Sequence, residues 1–379
     1  MKIARLTLLL LLLPSVLAAQ GVEERLAKLE SEVRELREEN RALKAQLGVE
    51  VAARTEEVAV EPAGSVPKMT IGGFIHAQAE SGGVVDPRFP DDNDRFYVRR
   101  ARLSTQGKFV EHFDFKVEME LSGALGAASG MRTQMTDAFI TWTQHPAASL
   151  RLGQFKSPYG FEQLYPDQRL PTPERALGTD RLTLGRQIGL QLFGELANKR
   201  LTYALGAFNG NGVNTSVNDD EGLLTVGRLA GKVYETKGIR WSVGVDGFRG
   251  EDRAVTVAPE LGFAGNTFAG NRHGWGVDTQ VVAGPVELWV EALNTTHDPL
   301  AGVTRDSRSL MVQGSYWLTK KLQAIGRWES FEPSANVDAL SGWLIGGSYA
   351  IKGDDVKLQL NYVRGEHDDR LIARVQTVF

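Results

Sequence analysis

Residues 150–194 read LRLGQFKSPYGFEQLYPDQRLPTPERALGTDRLTLGRQIGLQLFG. Leu150 and Leu152, then Ile188, Leu190 and Leu192, recur at every second position, the period of a β-strand with one apolar face. Between them stand Arg151, Gly153, Gln187, Gly189 and Gln191, all polar or small. The two runs are separated by about thirty residues, which carry four prolines (Pro158, Pro166, Pro171, Pro173) and the bases Lys156, Arg169, Arg175, Arg181 and Arg186. A connection that long inside a compact protein is usually functional or disordered. The stretch therefore predicts two membrane strands joined by a long working loop.

The same alternation fills residues 69–379. Phe113, Phe115, Val117, Met119 and Leu121 alternate with Asp114, Lys116, Glu118 and Glu120, and Leu358, Leu360 and Tyr362 alternate with Lys357, Gln359 and Asn361. Alternation by itself also suits a soluble sandwich. Charge on one face of strand after strand, with aromatics such as Trp142, Tyr203, Trp241, Trp343 and Tyr362 on the other, suits lipid outside and water inside. About sixteen such runs are present, an even number that closes an antiparallel barrel. Short connections, as at His145–Ser149 and Lys352–Asp355, belong at the periplasmic end; long ones, as at Gly82–Asp94 and Gly210–Gly222, belong outside. The expected fold is an all-β transmembrane barrel of about sixteen antiparallel strands preceded by an N-terminal α-helical coiled coil. Leu371, Ala373, Val375, Thr377 and Phe379 share one face and resemble the terminal signature by which such barrels are inserted.

In the segment Gly153-Gln-Phe-Lys156-Ser-Pro-Tyr159-Gly160, then at Glu174, Arg175 and Arg186, the chain resembles the phosphate-selective porin O and P family. The resemblance covers roughly residues 69–379. It implies an outer-membrane barrel whose long third loop folds into the lumen and narrows it, and it implies phosphate among the solutes.

Composition is compatible with that class. The 379 residues are 42% hydrophobic with formal charge −4, and no apolar run reaches the about 20 residues a spanning helix needs. Residues 1–19 combine Lys2 and Arg5, an apolar run from Leu6 to Leu13, and the small-residue end Ala18-Ala19, a secretory signal peptide. There is no cysteine, so neither a lipoprotein anchor nor a disulfide framework is available.

Residues 20–48 read as a periplasmic coiled coil. Leu26, Val33, Asn40 and Leu47 fall at heptad position a, and Val22, Leu29, Leu36 and Leu43 at d. The g and e positions then pair Arg25 with Glu30, Glu32 with Arg37 and Glu39 with Lys44, all of opposite sign, as identical parallel chains require. A buried Asn is common in dimers, whereas Arg25-Leu26-Ala27-Lys28-Leu29-Glu30 resembles a trimer-favouring pattern, which also suits a porin. The alternative is a single amphipathic helix lying on its own barrel. Residues 49–68, with Pro62, Gly64 and Pro67, read as a linker, and residues 69–379 as the porin domain.

A barrel of sixteen strands is too wide for side chains to fill, so its lumen holds water and its lining sets what passes. Strand parity turns Arg100, Arg102 and Lys108 inward, with Arg327, Lys357 and Arg374 across the barrel, and puts Arg99 near the outer rim. With Lys156, Tyr159, Arg169, Arg175, Arg181 and Arg186 these form the expected pore lining. Guanidinium groups suit phosphate because their fork donates two parallel hydrogen bonds. Residues 69–379 nonetheless hold 33 bases against 36 acids, so each arginine has a second reading as an internal salt bridge holding the loop to the wall.

No catalytic constellation surrounds His76, His112, His145, His273, His297 or His367, and Asp91-Asp92-Asn93-Asp94 lacks the spacing of a calcium loop. No enzyme, metal, cofactor or nucleic-acid partner is expected. The leading reading is a trimeric outer-membrane porin for small anions. Alternatives are a general or sugar-admitting porin, and a structural protein whose coiled coil tethers the outer membrane to an envelope partner.

Overall fold

Alternating apolar and polar residues leave each stretch one face for lipid and one for water, and the chain folds accordingly into extended strands. The computed structural model describes residues 28, 31–35, 38, 68–89, 91–123, 133–334 and 337–379. The strands are β1 (Lys68–Gly82), β2 (Arg95–Val110), β3 (Phe113–Glu120), β4 (Gln134–His145), β5 (Ala148–Lys156), β6 (Arg186–Leu196), β7 (Leu201–Phe208) and β8 (Leu224–Glu235). They continue as β9 (Ile239–Thr256), β10 (Thr267–Ala283), β11 (Val286–Pro299), β12 (Arg305–Trp317), β13 (Leu322–Glu332), β14 (Leu340–Lys352), β15 (Val356–Arg364) and β16 (Asp369–Val378). Each pairs antiparallel with its sequence neighbours, and β1 pairs with β16 to close the ring. At the seam, Phe379 and Gly73 exchange backbone hydrogen bonds of 2.9 and 3.0 Å. Closure matters because an open edge in lipid leaves backbone groups without partners.

Leu152, Leu205, Leu360 and Val375 stand on the outer face, while Gln154, Gln191, Gln359 and Asn361 are buried within. Exposed aromatics mark both ends of the wall. Tyr234, Trp241, Tyr316, Trp317 and Tyr349 lie near the short turns, and Phe96, Trp328 and Trp343 towards the long loops. No helix among the described residues is long and apolar enough to cross a membrane.

One expectation fails on β2. The ladder with β1 matches His76 to Arg100 but Ala77 to Val98, so Arg99 is an extra residue in a β-bulge. Such a bulge reverses parity on either side of it. Arg99 therefore points inward instead of standing at the rim, and its Nε lies 2.9 Å from a carboxylate oxygen of Glu174.

In the N-terminal region, the described residues Lys28, 31–35 and Glu38 are helical and exposed. Of the heptad a and d positions only Val33 is among them. The signal peptide, Leu26, Leu29, Leu36, Asn40, Leu43 and Leu47 lie outside the described residues, as do residues 49–67.

The loop across the lumen

The connection 157–185 leaves the wall and folds into the lumen. Its two sides are held by different chemistry. On one side, Leu170 and Ala176 pack on Trp289 of β11 and Met311 of β12, with Phe161 and Tyr165 against the Trp289 ring at 5.1 and 4.6 Å. Leu177, Leu182 and Leu184 join Leu293, Phe331, Phe248 and Phe268 in a second apolar cluster. The Tyr159 hydroxyl, fully buried, donates to the backbone carbonyl of Asn294 at 2.9 Å, with that of Trp275 as a second acceptor at 3.2 Å. The turn Leu177–Leu182 approaches β12 so closely that a Cβ on Gly178 would stand 1.8 Å from the Ser309 hydroxyl.

On the other side the contacts are ionic. Glu174 meets Arg99 at 2.9 Å and Arg374 at 2.5 Å, while Asp167 meets Arg102 and Arg175, both at 2.6 Å. The proline-rich stretch adds acceptors. Proline has no N–H but keeps its carbonyl, and wall donors use these oxygens: Gln359 reaches Pro171 at 2.7 Å, and Arg374 reaches Pro173. Lys357 donates to the carbonyls of Gln168 and Leu170 at 3.0 and 3.2 Å. Arg327 pairs with Glu162 and Glu329 at 3.3 and 2.9 Å and also donates to the Glu174 carbonyl.

Candidate functional site

The candidate site is the space this loop leaves beside the wall. Along the wall from β2 to β8 lie two cavities, one towards each end of the barrel. Towards the long loops, a cavity of about 370 Å³ is lined by Arg99, Arg100, Arg102 and Arg186 against the single acid Glu120, with Gln163 and Gly185 from the loop. Towards the short turns, a cavity of about 540 Å³ is lined by Arg151, Lys156 and Arg228 against the single acid Glu195, with Pro158 and Leu164 from the loop. The carboxylates that balance the first group, Glu118, Asp167 and Glu174, are buried behind the guanidinium groups rather than lining the space.

The expected pore residues divide accordingly. Arg100, Arg102, Lys156 and Arg186 line one cavity or the other. Arg186 is tied to Asp137 at 2.7 Å, and Arg100 is held loosely, its nearest carboxylate oxygens 3.5 and 3.6 Å away. Arg175 within the loop and Arg327, Lys357 and Arg374 beneath it are buried, each donating to loop acceptors. Tyr159 is an anchor in the apolar cluster. Arg181 pairs with Glu260 at 2.9 Å, away from both cavities. Arg169 is exposed on the turn Asp167–Arg169 and forms no ion pair among the described residues. Lys108 lies at the short-turn end of β2 with its side chain 72% exposed.

Three lining residues escaped the sequence reading: Arg99, Arg151 and Arg228. The bulge hid Arg99. Arg151 was visible, since it alternates with Leu150 and Leu152 and so had to face inward. Its guanidinium sits 4.3, 4.9 and 5.4 Å from the ring centres of Phe139, Phe193 and Phe155, with Nε donating to the Thr141 hydroxyl. Among the described residues Arg151 has no carboxylate partner, and Lys156 donates only to the carbonyls of Gln163 and Tyr165. No group of three or more metal-ligating side chains occurs among the described residues.

Two loop carboxylates make the ionic latch pH-sensitive in a definite direction. Burial works to raise Asp167, but Arg175, Arg102 and Arg100 hold it well below its usual 3.8. Burial likewise opposes Arg99, Arg374 and Arg100 at Glu174, which stays well below its usual 4.5. A depressed folded value contributes stability that is complete above the unfolded value and is lost as pH falls through the folded one. The latch should therefore hold equally at pH 7 and pH 5 and loosen only below the ordinary carboxylate range. Current noise through the channel, recorded as pH is lowered from 7 through 5, checks this; a rise already at pH 5 would count against it.

The comparisons agree with this architecture. The family model for phosphate-selective porin O and P matches residues 83–377. Similar solved structures include an anion-selective porin from Comamonas acidovorans, at 13% identity and TM-score 0.58, covering 83% of this chain and 100% of that one. The outer membrane channel DcaP of Acinetobacter baumannii is 14% identical with TM-score 0.57, covering 83% and 97%. OmpT of Vibrio cholerae, in its trimer form, is 11% identical with TM-score 0.56, covering 83% and 100%. At such identities these likenesses concern the fold. No curated protein sequence matches. With its sixteen-stranded closed barrel and a family match over most of its length, this chain belongs to the phosphate-selective porin O and P family of outer-membrane channels.

Proposed function

We propose that the protein is a water-filled porin that prefers small anions, phosphate among them, and that solutes pass between the loop and the wall from β2 to β8. The observation that carries the reading is Arg151 with Lys156. They are two cations on one cavity wall without carboxylate partners among the described residues, and the upper cavity shows solutes a cluster of guanidinium groups. An ion about 4 Å from one charge feels about 1 kcal/mol in bulk water and about 4 at an effective dielectric of 20. Position in a narrow space therefore decides which bases matter.

Replacing Arg151 and Lys156 together by glutamine should lower the chloride-to-potassium permeability ratio about fivefold or more, the equivalent of about 1 kcal/mol. Reversal potentials across planar bilayers in a salt gradient measure it. Lys108→Gln should do little, because salt at about 0.15 M screens exposed charges beyond roughly 8 Å. An unchanged ratio in the double variant would replace this reading with a non-selective porin.

The proposal includes self-association as a trimer ordered by residues 22–47, supported by the opposite-sign g and e pairs and by the trimer form of one structural neighbour. It places that helix in the periplasm because β1 opens at the end of the barrel that carries the short turns. An envelope-tethering role would show as lost envelope integrity with unchanged conductance when residues 22–47 are deleted.

A further inference from the structure

A third cavity, of about 230 Å³, lies between the end of the loop and the upper parts of β9, β10 and β11, and it shares no lining residue with the two along the passage. One wall is apolar, with Leu182 and Leu184 from the loop and Val255 and Leu261 from β9 and the turn after it. The other is polar, built from Arg272, Thr295 and His297. Thr295 and His297 are each 2% exposed. Among the described residues His297 Nδ1 has no hydrogen-bond partner, and the Thr295 hydroxyl has none beyond the Tyr159 hydroxyl beside it. Buried polar atoms are normally satisfied, so an orphaned ring nitrogen and a half-satisfied hydroxyl on one cavity point to something that fills it.

The set is held in place. His297 packs on Phe263 and Phe268 at 5.6 and 4.9 Å and stands opposite Arg272 in the β10–β11 ladder. Arg272 meets Asp252 through Nε and Nη2, at 3.0 and 3.1 Å, which leaves Nη1 without a partner among the described residues.

We propose that this side pocket binds a small organic carboxylate, its two oxygens taken by Arg272, Thr295 and His297 and its apolar body lying on Leu182, Leu184 and Val255. The chemistry selects the class. Donors converge from three side chains, and the one acidic lining residue, Asp180, is turned to Arg88 at 3.3 Å. A sugar would find the lining acceptors Asp180 and Gln187 already engaged, by Arg88 and by the Gly212 N–H. Inorganic phosphate would leave the leucine wall facing water, where an apolar body gains by covering it. The inference is independent of anion passage, since it concerns other residues.

The test uses the full-length folded protein in detergent, titrated with benzoate and, separately, with inorganic phosphate, and followed by calorimetry or saturation-transfer NMR. Benzoate should bind saturably, and phosphate should not compete for it. Thr295→Val, which keeps the shape and removes the hydroxyl, and Leu184→Trp, which fills the space, should each weaken benzoate at least tenfold. Heat-modifiable mobility shows whether each variant is folded, and if one is not, the other decides. Absence of benzoate binding to the unaltered protein, binding that survives the folded variant, or displacement of benzoate by phosphate overturns the proposal. Because the readout is binding rather than conduction, its failure leaves the passage as described.

Discussion

Glu174→Ala should release the loop from the wall, lower the thermal stability of the barrel and make the channel current larger and noisier. Glu174 is 3% exposed, and its carboxylate is shared by Arg99 and Arg374, with Arg100 at 3.6 Å. Removing it leaves Arg99 without a carboxylate among the described residues and Arg374 with only the neutral oxygens of Gln78 and Pro173, while Arg100 keeps Asp167 at 3.5 Å. Breaking a buried pair by deleting one member typically costs about 3–5 kcal/mol, most of it from the charge left behind. Glu174→Gln should fall in between, since the amide oxygen still accepts from one arginine. Thermal unfolding read by heat-modifiable mobility gives the stability, and single-channel recording gives the noise. A melting temperature and open-state current both equal to those of the unaltered protein would show that the loop is held by its apolar side alone.

Why the sequence displayed the barrel but not this latch is a matter of range. Strand alternation is local: Leu150, Arg151 and Leu152 declare their faces among themselves, and the alternating runs match the sixteen strands in order. Loop length was as readable, because residues 157–185 interrupt two such runs. Which acid meets which base is not local. Arg374 and Glu174 are 200 residues apart, and Arg327 and Glu162 are 165 apart, so only closure of the ring brings them together. The even balance of acids and bases hinted that the lumenal arginines would be paired, and for Arg175, Arg327 and Arg374 it is pairing that the structure displays. The bulge at Arg99 lay beyond parity counting because it depends on the neighbouring strand. Arg151 is readable from its place between Leu150 and Leu152, which turns it inward.

The apolar anchor should respond in the opposite sense from the ionic one. Gly178→Val is expected to narrow the passage and reduce conductance while leaving the barrel folded. At Gly178 a Cβ would meet the Ser309 hydroxyl at 1.8 Å and its Cβ at 2.2 Å, and both atoms belong to a β12 residue whose backbone is fixed in the ladder on either side. The wall cannot retreat, so the loop must. Forcing extra methyl groups into a packed contact typically costs about 1–3 kcal/mol, which the wall of sixteen paired strands can bear. The displacement runs away from β11–β13, and what lies on the far side of the loop is the pair of cavities lined by Arg100, Arg102, Arg186, Arg151 and Lys156. Gly178→Ala should show the same effect less strongly. Single-channel conductance in symmetric salt measures it, with heat-modifiable mobility confirming the fold. Conductance that rises in Gly178→Val would mean that solutes pass on the β11–β13 side of the loop, and the assignment of the passage to the β2–β8 wall would have to be given up.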